Sequence, residues 1–307
     1  MTGVLIGFGI ITLVILVGYI VGRSGVAGPG AERALGRVAF FVANPALLFT
    51  VLAKADLHII FSSFLLVAFI TALTIAAVYV LAVALRYRRL GRETVIGAMA
   101  ASYVNANNIG IPVAVYVLGS ATFVAPVLLI QLLVFAPVIL TILDITSSTR
   151  TSVLSIVTQP VRNPMIIASV LGVALNLSGW KLPSFVEEPF VLIGGAAVPL
   201  ILMSFGMSLH GSRPLRSGGD RCPILLATVL KSVVMPVVAY LIATWGFHLH
   251  GEHLFAVVAF AALPSAQNAY NFASRYEVGE TIARDAVLLT TALAIPAVIL
   301  IAFLLAN

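Results

Sequence analysis

Apolar residues in this chain do not alternate with polar ones at the spacing of a half-buried helix or strand. They form long runs of about 20 residues, separated by short polar stretches. The runs fall at 4–21, 34–53, 58–84, 94–118, 121–143, 163–180, 189–209, 223–246, 254–274 and 283–305. A helix that is apolar all round for this length meets hydrocarbon rather than water. The pattern therefore predicts an all-α polytopic membrane protein with ten transmembrane helices. Several runs exceed the length a bilayer needs, which leaves room for tilt. The first, in MTGVLIGFGIITLVILVGYIV, has no basic stretch before it and no small-x-small cleavage pattern. It is expected to stay in place as a span.

Composition agrees with this pattern. Of 307 residues, 61% are hydrophobic and 9% are charged, whereas a soluble domain carries about 25% charged residues. The net charge of +6 is accounted for by topology. Fourteen of the 17 Lys and Arg residues fall in alternate loops: Arg23, Arg33, Arg37; Arg86, Arg88, Arg89, Arg92; Arg150, Arg162; Arg213, Arg216, Arg221; Arg275 and Arg284. Only Lys54 and Lys181 face the other way, and Lys231 lies within the eighth run. Basic loops stay in the cytoplasm, so both termini are expected outside it, and no nucleic-acid partner is needed to explain the charge. The single Cys222 forms no internal disulfide and no cysteine metal cluster. The chain has no HExxH, P-loop or GxGxxG motif, so neither an enzyme nor an ATP-driven pump is expected, and no cofactor or structural metal.

The longest gap between runs is the segment 144–162. It divides the chain into a first repeat, 1–143, and a second, 163–307. Each holds five runs, and five is odd, so the halves are expected in opposite orientations. Landmarks match: Pro45 and Pro112 are 67 residues apart, Pro199 and Pro264 are 65 apart. A 5+5 inverted repeat is the architecture of many secondary transporters.

Two runs are interrupted at matching places. The fourth contains YVNANNIGIPVAV, with Asn105, Asn107, Asn108, Gly110 and Pro112. The ninth contains LPSAQNAYNFA, with Pro264, Gln267, Asn268 and Asn271. Proline removes a backbone donor and clashes with the preceding turn, so breaks are expected at Ile111–Pro112 and at Pro264. Broken backbone at mid-membrane is tolerated only against protein or a wet cavity. The amides supply donors and acceptors both to that backbone and to a ligand. Where the broken helices cross, the second half-helices present positive ends that favour carboxylate or phosphate. Lys231, about 12 Å into its span, is a candidate for offsetting an anion's charge or for proton coupling. Gln131 faces either the crossover or a neighbour. Asp144 and Asp285 are expected at cytoplasmic helix ends, and His248, His250 and His253 in a solvated loop.

At NPALLF (44–49), NNIGIP (107–112) and LPSAQNAYNFA (263–273) the chain resembles the auxin efflux carrier family, within the bile/arsenite/riboflavin transporter superfamily. The resemblance covers essentially the whole chain. It implies a scaffold or dimerisation part from spans 1, 2, 6 and 7, and hence a homodimer, beside a transport part from spans 3–5 and 8–10 that moves like an elevator. It assigns the crossover prolines to Pro112 and Pro264, and their binding neighbours to Asn107, Asn108, Gln267, Asn268 and Asn271. The long cytoplasmic loop of plant members is missing. So is the acidic residue near the crossover that sodium-coupled bile acid carriers use, which favours H⁺ over Na⁺ as a coupling ion.

The expected function is secondary active transport of a small organic anion, a carboxylate, dicarboxylate or auxin-like molecule, across the cell's inner membrane. A carrier of a larger amphipathic or neutral metabolite, possibly sodium-coupled, is the alternative. A receptor or channel would differ in lacking flux or a conformational cycle.

Overall fold

The structure is a computed structural model and describes residues 2–55, 63–88, 90–146, 163–210 and 221–305. Segment 147–162, most of the central linker, lies outside the described residues. So do Arg89, Arg150, Arg162, Arg213 and Arg216, and the side chains of Asp144 and Arg275.

The described residues are helical almost throughout. In chain order we label α1 (Thr2–Ser24), α2 (Ala31–Leu52), α3 (Ser63–Tyr87), α4 (Arg92–Ser102), α5 (Ile111–Tyr116), α6 (Ala121–Leu143) and α7 (Pro164–Ser178). Then follow α8 (Ser184–Ser208), α9 (Cys222–Gly246), α10 (Gly251–Ala261), α11 (Asn268–Arg275) and α12 (Glu280–Leu305). Six of them, α2, α3, α6, α8, α9 and α12, are long and apolar enough to cross a membrane. Shorter apolar helices stand at Gly9–Ser24, Pro164–Ser178 and Gly251–Ala261. Leu13, Leu81, Phe185 and Leu192 are exposed on the outer faces, where hydrocarbon rather than water accommodates them. The chain is an integral membrane protein.

Four prolines are absorbed inside these helices by one recurring device. Five-residue π turns at Ala39–Ala43, Ala106–Gly110, Gln131–Phe135 and Leu230–Val234 each end two residues before a proline: Pro45, Pro112, Pro137 and Pro236. In each, the residue before the proline donates its N–H five residues back, as Ile111 does to the Ala106 carbonyl. The wider turn makes room for the proline ring.

This corrects the expected position of the first break. Gly110 and Ile111 are helical, at φ −65°, ψ −43° and φ −59°, ψ −52°, and the helix runs through Pro112. The chain opens instead at Tyr103 (φ −87°, ψ 111°) and Asn105 (φ −75°, ψ 63°). The second break does contain its proline: α10 ends at Ala261 and α11 begins at Asn268.

Packing sorts the helices by neighbour. The most extensive contact joins α1 to α8, and α2 lies against α7 and α8. Glycine sets the α1–α8 distance. A Cβ on Gly18 would lie 2.4 Å from the Met203 carbonyl oxygen, and one on Gly206 2.1 Å from that of Ile15. Small residues are what let membrane helices approach this closely. Asn176 on α7 donates to the carbonyls of Leu52 (3.1 Å) and Ala55 (2.9 Å), tying α7 to the end of α2. Elsewhere α3 packs on α4, α9 on α10 and α12, and α4 on α9 and α12.

Candidate functional site

The two breaks meet. Val104 and Ser265 form an antiparallel bridge, in which Asn105 N–H donates to the Pro264 carbonyl (2.9 Å) and Ala266 N–H to the Tyr103 carbonyl (2.8 Å). Two interrupted helices thus satisfy each other's backbone, as burial demands.

The remaining backbone groups find side chains. Gln131 donates from Nε2 to the Val104 carbonyl (2.7 Å), and the Tyr103 hydroxyl donates to the Gln131 carbonyl (3.0 Å). Gln131 therefore serves the broken backbone directly. Ser265 donates its hydroxyl to the Ala100 carbonyl, and its N–H to Thr290 Oγ1 (3.0 Å). Asn105 caps the turn that follows it, its Oδ1 accepting from Asn108 N–H at 3.1 Å. The start of α11 has no such side-chain cap at Gln267.

Lys231 is fully buried, and its Nζ donates to the Ala261 carbonyl at 2.7 Å. The ammonium sits at the carbonyl end of α10, where the helix dipole favours a cation. Sequence alone placed Lys231 near mid-membrane without identifying this partner.

Four side-chain amides form a chain across the site. Asn44 Nδ2 donates to Asn107 Oδ1 (2.8 Å), Asn107 Nδ2 to Asn108 Oδ1 (2.7 Å), and Asn108 Nδ2 to Gln267 Oε1 (3.4 Å). Asn44 is completely buried and its Oδ1 has no partner. It was missed as a candidate, although a polar residue directly before Pro45 in an apolar run was a visible signal. Asn268 is half-buried, and Gln267 and Asn271 are exposed. Beside the amides lies a cavity of about 30 Å³ lined by Phe40, Asn105, Asn107, Asn108, Met165 and Asn268, among others. It holds water but not an organic anion, since ligand pockets run to hundreds of Å³. Lys231 is not among its lining residues.

A much larger cavity, about 870 Å³, lies elsewhere, at the ends of α3, α4, α9 and α12. Its described lining carries Glu93, Glu277 and Glu280 against Arg92 alone, a balance that repels an anion. Arg92 also donates from Nη2 to the Tyr276 carbonyl at 3.1 Å. Asp285 is buried and paired with Arg284 Nε at 2.8 Å. The His253 ring packs edge-on against Phe123.

The profile of the family described as "Membrane transport protein" matches residues 8–152 and 144–302. The chain belongs to this family. That agrees with the resemblance to auxin efflux carriers seen in the motifs. It is 26% identical over 284 residues to the uncharacterized transporter YfdV of Escherichia coli (strain K12), covering 87% of each chain. It is 28% identical over 290 residues to an uncharacterized transporter of Methanothermobacter thermautotrophicus, covering 93% of each. A protein of Rhizobium meliloti (strain 1021), provisionally named a malonate transporter, is 28% identical over 138 residues, 44% of this chain and 42% of that one. Family and relatives are transporters, not enzymes.

Proposed function

We propose that this chain is a secondary active carrier of a small organic anion, a carboxylate or dicarboxylate, working by elevator-type alternating access in the cell's inner membrane. In this reading the helices make ten spans in a 5+5 inverted repeat, with both termini outside the cytoplasm. Spans four (α4–α5) and nine (α10–α11) are the crossing pair. Helices α1, α2, α7 and α8 form the scaffold and the dimer face, and α3–α6 with α9–α12 form the transport part.

The observation that carries the reading is the bridge between Val104 and Ser265, with amides gathered around it. Broken backbone of this kind lines transport sites because nothing else in a bilayer tolerates it. The site's polarity favours an anion. Lys231 neutralises the carbonyl end of α10, and α11, which starts after the break at Asn268, has no side-chain cap at Gln267, an arrangement that suits a carboxylate. The provisional name of the Rhizobium relative supports a dicarboxylate such as malonate. Because Lys231 already holds the carbonyl end where a sodium ion would be favoured, the reading takes H⁺ as the coupling ion.

The test is uptake of radiolabelled mono- and dicarboxylates, malonate among them, into proteoliposomes under separately imposed pH, sodium and voltage gradients. Saturable carboxylate uptake driven by the pH gradient is expected. Saturable uptake of neutral or bulky amphipathic solutes alone would overturn the substrate class.

A further inference from the structure

If α1, α2, α7 and α8 stay still while the rest moves, the hydrogen bonds of the molecule divide into those a cycle preserves and those it breaks. Nearly all are preserved. Within the scaffold are Asn176 to Leu52 and Ala55, Ser204 to the Glu32 carbonyl, and the ion pair Lys54–Glu187. Within the transport part are the bridge between the breaks, Gln131 to Val104, Lys231 to Ala261 and Arg92 to Tyr276. Among the described residues, one side-chain hydrogen bond crosses between them: Asn44 Nδ2 to Asn107 Oδ1, 2.8 Å.

The rest of the boundary is greasy. A small cavity there is walled by Ile11, Ile15 and Phe205 on the scaffold side and by Ile109, Val113 and Ile295 on the other. Apolar contacts have no preferred register and let surfaces slide. A hydrogen bond does not, because its donor and acceptor must stay within about 3.2 Å.

We propose that the Asn44–Asn107 hydrogen bond is a latch that holds the empty carrier still, and that ligand binding releases it. The proposal rests on the elevator reading above. Asn107 also donates to Asn108, whose amide reaches Gln267. A carboxylate that takes the N–H groups of Asn107 and Asn108 turns the Asn107 amide and draws its Oδ1 off Asn44. The loaded transport part then crosses, and the empty one is retained. A carrier built this way exchanges substrate faster than it moves it in one direction. Asn44 acts as a positioning residue from the scaffold side. Its unpartnered, buried Oδ1 means that a valine, apolar and not much larger, removes the latch and an orphaned acceptor together. Asn107 is only half-buried, so water can take over its Oδ1, and the fold is expected to survive the change.

Two arms test this. The first needs no substrate. Spin labels at Leu177→Cys on the scaffold and Trp245→Cys on the transport part, both exposed, are placed in a Cys222→Ala background. The labelled protein is diluted with excess unlabelled Cys222→Ala protein in nanodiscs, so that only distances within one chain are read, and the distance distribution is measured. The unmodified latch should give one dominant distance. Asn44→Val and Asn107→Ser cut the same bond from opposite sides. Each should raise a second population about fivefold, the factor one hydrogen bond contributes, and the double variant should go no further. Unchanged distributions in both single variants would overturn the latch. The second arm compares malonate exchange with net malonate efflux in proteoliposomes. Exchange should be faster in the parent by about fivefold or more, and Asn44→Val should bring the ratio towards one. Equal parent rates would also overturn the latch. If the parent moves no carboxylate, the anion reading fails, and the first arm still decides the latch.

Discussion

The two breaks are joined by the same pair of backbone hydrogen bonds, yet they are completed differently. At the first, neutral groups do everything: Gln131 takes the Val104 carbonyl, Ser265 takes that of Ala100, and Asn105 caps the turn that follows. At the second, the carbonyl end of α10 is held by the ammonium of Lys231, and the start of α11 carries no side-chain cap. The first break is internally satisfied. The second has an ammonium at its carbonyl end and a helix start without a side-chain cap. Equivalent places in two halves therefore need not play the same part. In the proposed carrier, the first break builds the site, and the second supplies its charge.

The largest effect should follow from removing that charge. Lys231→Met is expected to weaken carboxylate binding about tenfold, because the site loses a buried positive charge that acts through space rather than by a bond to the ligand. The melting temperature should change little, because the orphaned Ala261 carbonyl is offset by removal of a buried ammonium that is itself costly. Titration calorimetry beside thermal melts checks both. A lower melting point with unchanged affinity would make Lys231 a structural cap only.

Next come the asparagines, which should separate the breaks. Asn268→Ala should lose about tenfold in affinity with little change in stability. Asn105→Ala should lose a cap and about 1 kcal/mol of stability, with affinity less affected. Equal affinity losses would erase the distinction. Gln131→Leu belongs with Asn105: it orphans the Val104 carbonyl and should destabilise by about 1–3 kcal/mol, visible in thermal melts with malonate affinity largely kept.

The smallest effect is expected at Pro112. Its helix is already continuous, so Pro112→Ala should change stability by less than about 1 kcal/mol and leave binding intact. Pro264→Ala, within a real break, should change binding more. Calorimetry on the two variants decides it.

These residues also mark how far the sequence could be read. Helix positions were legible because hydrocarbon enforces long apolar runs; the fifth run, at 121–143, coincides with α6. The second break was legible because Pro264 has no π turn before it. The first was misplaced because the turn Ala106–Gly110 absorbs Pro112, and a single widened turn leaves no trace in hydrophobic periodicity. Gathered amides were legible as candidates, but their partners were not. Asn44 meets Asn107 across 63 residues, and Lys231 meets Ala261 across 30. Such pairings depend on how helices stack, which local pattern does not encode.

The central claim is that the second break holds the anion. The most direct measurement is a cryo-electron-microscopy structure of the carrier in nanodiscs with a saturating carboxylate that calorimetry has shown to bind. The account predicts carboxylate density between the start of α11 and the first break, with one oxygen about 3 Å from the first backbone amides of α11 and from Asn268 and the other within reach of the Asn107 and Asn108 amides, and with Lys231 still bonded to Ala261. A carboxylate held at Asn105–Asn108 alone, or in the Arg92 cleft, would contradict it.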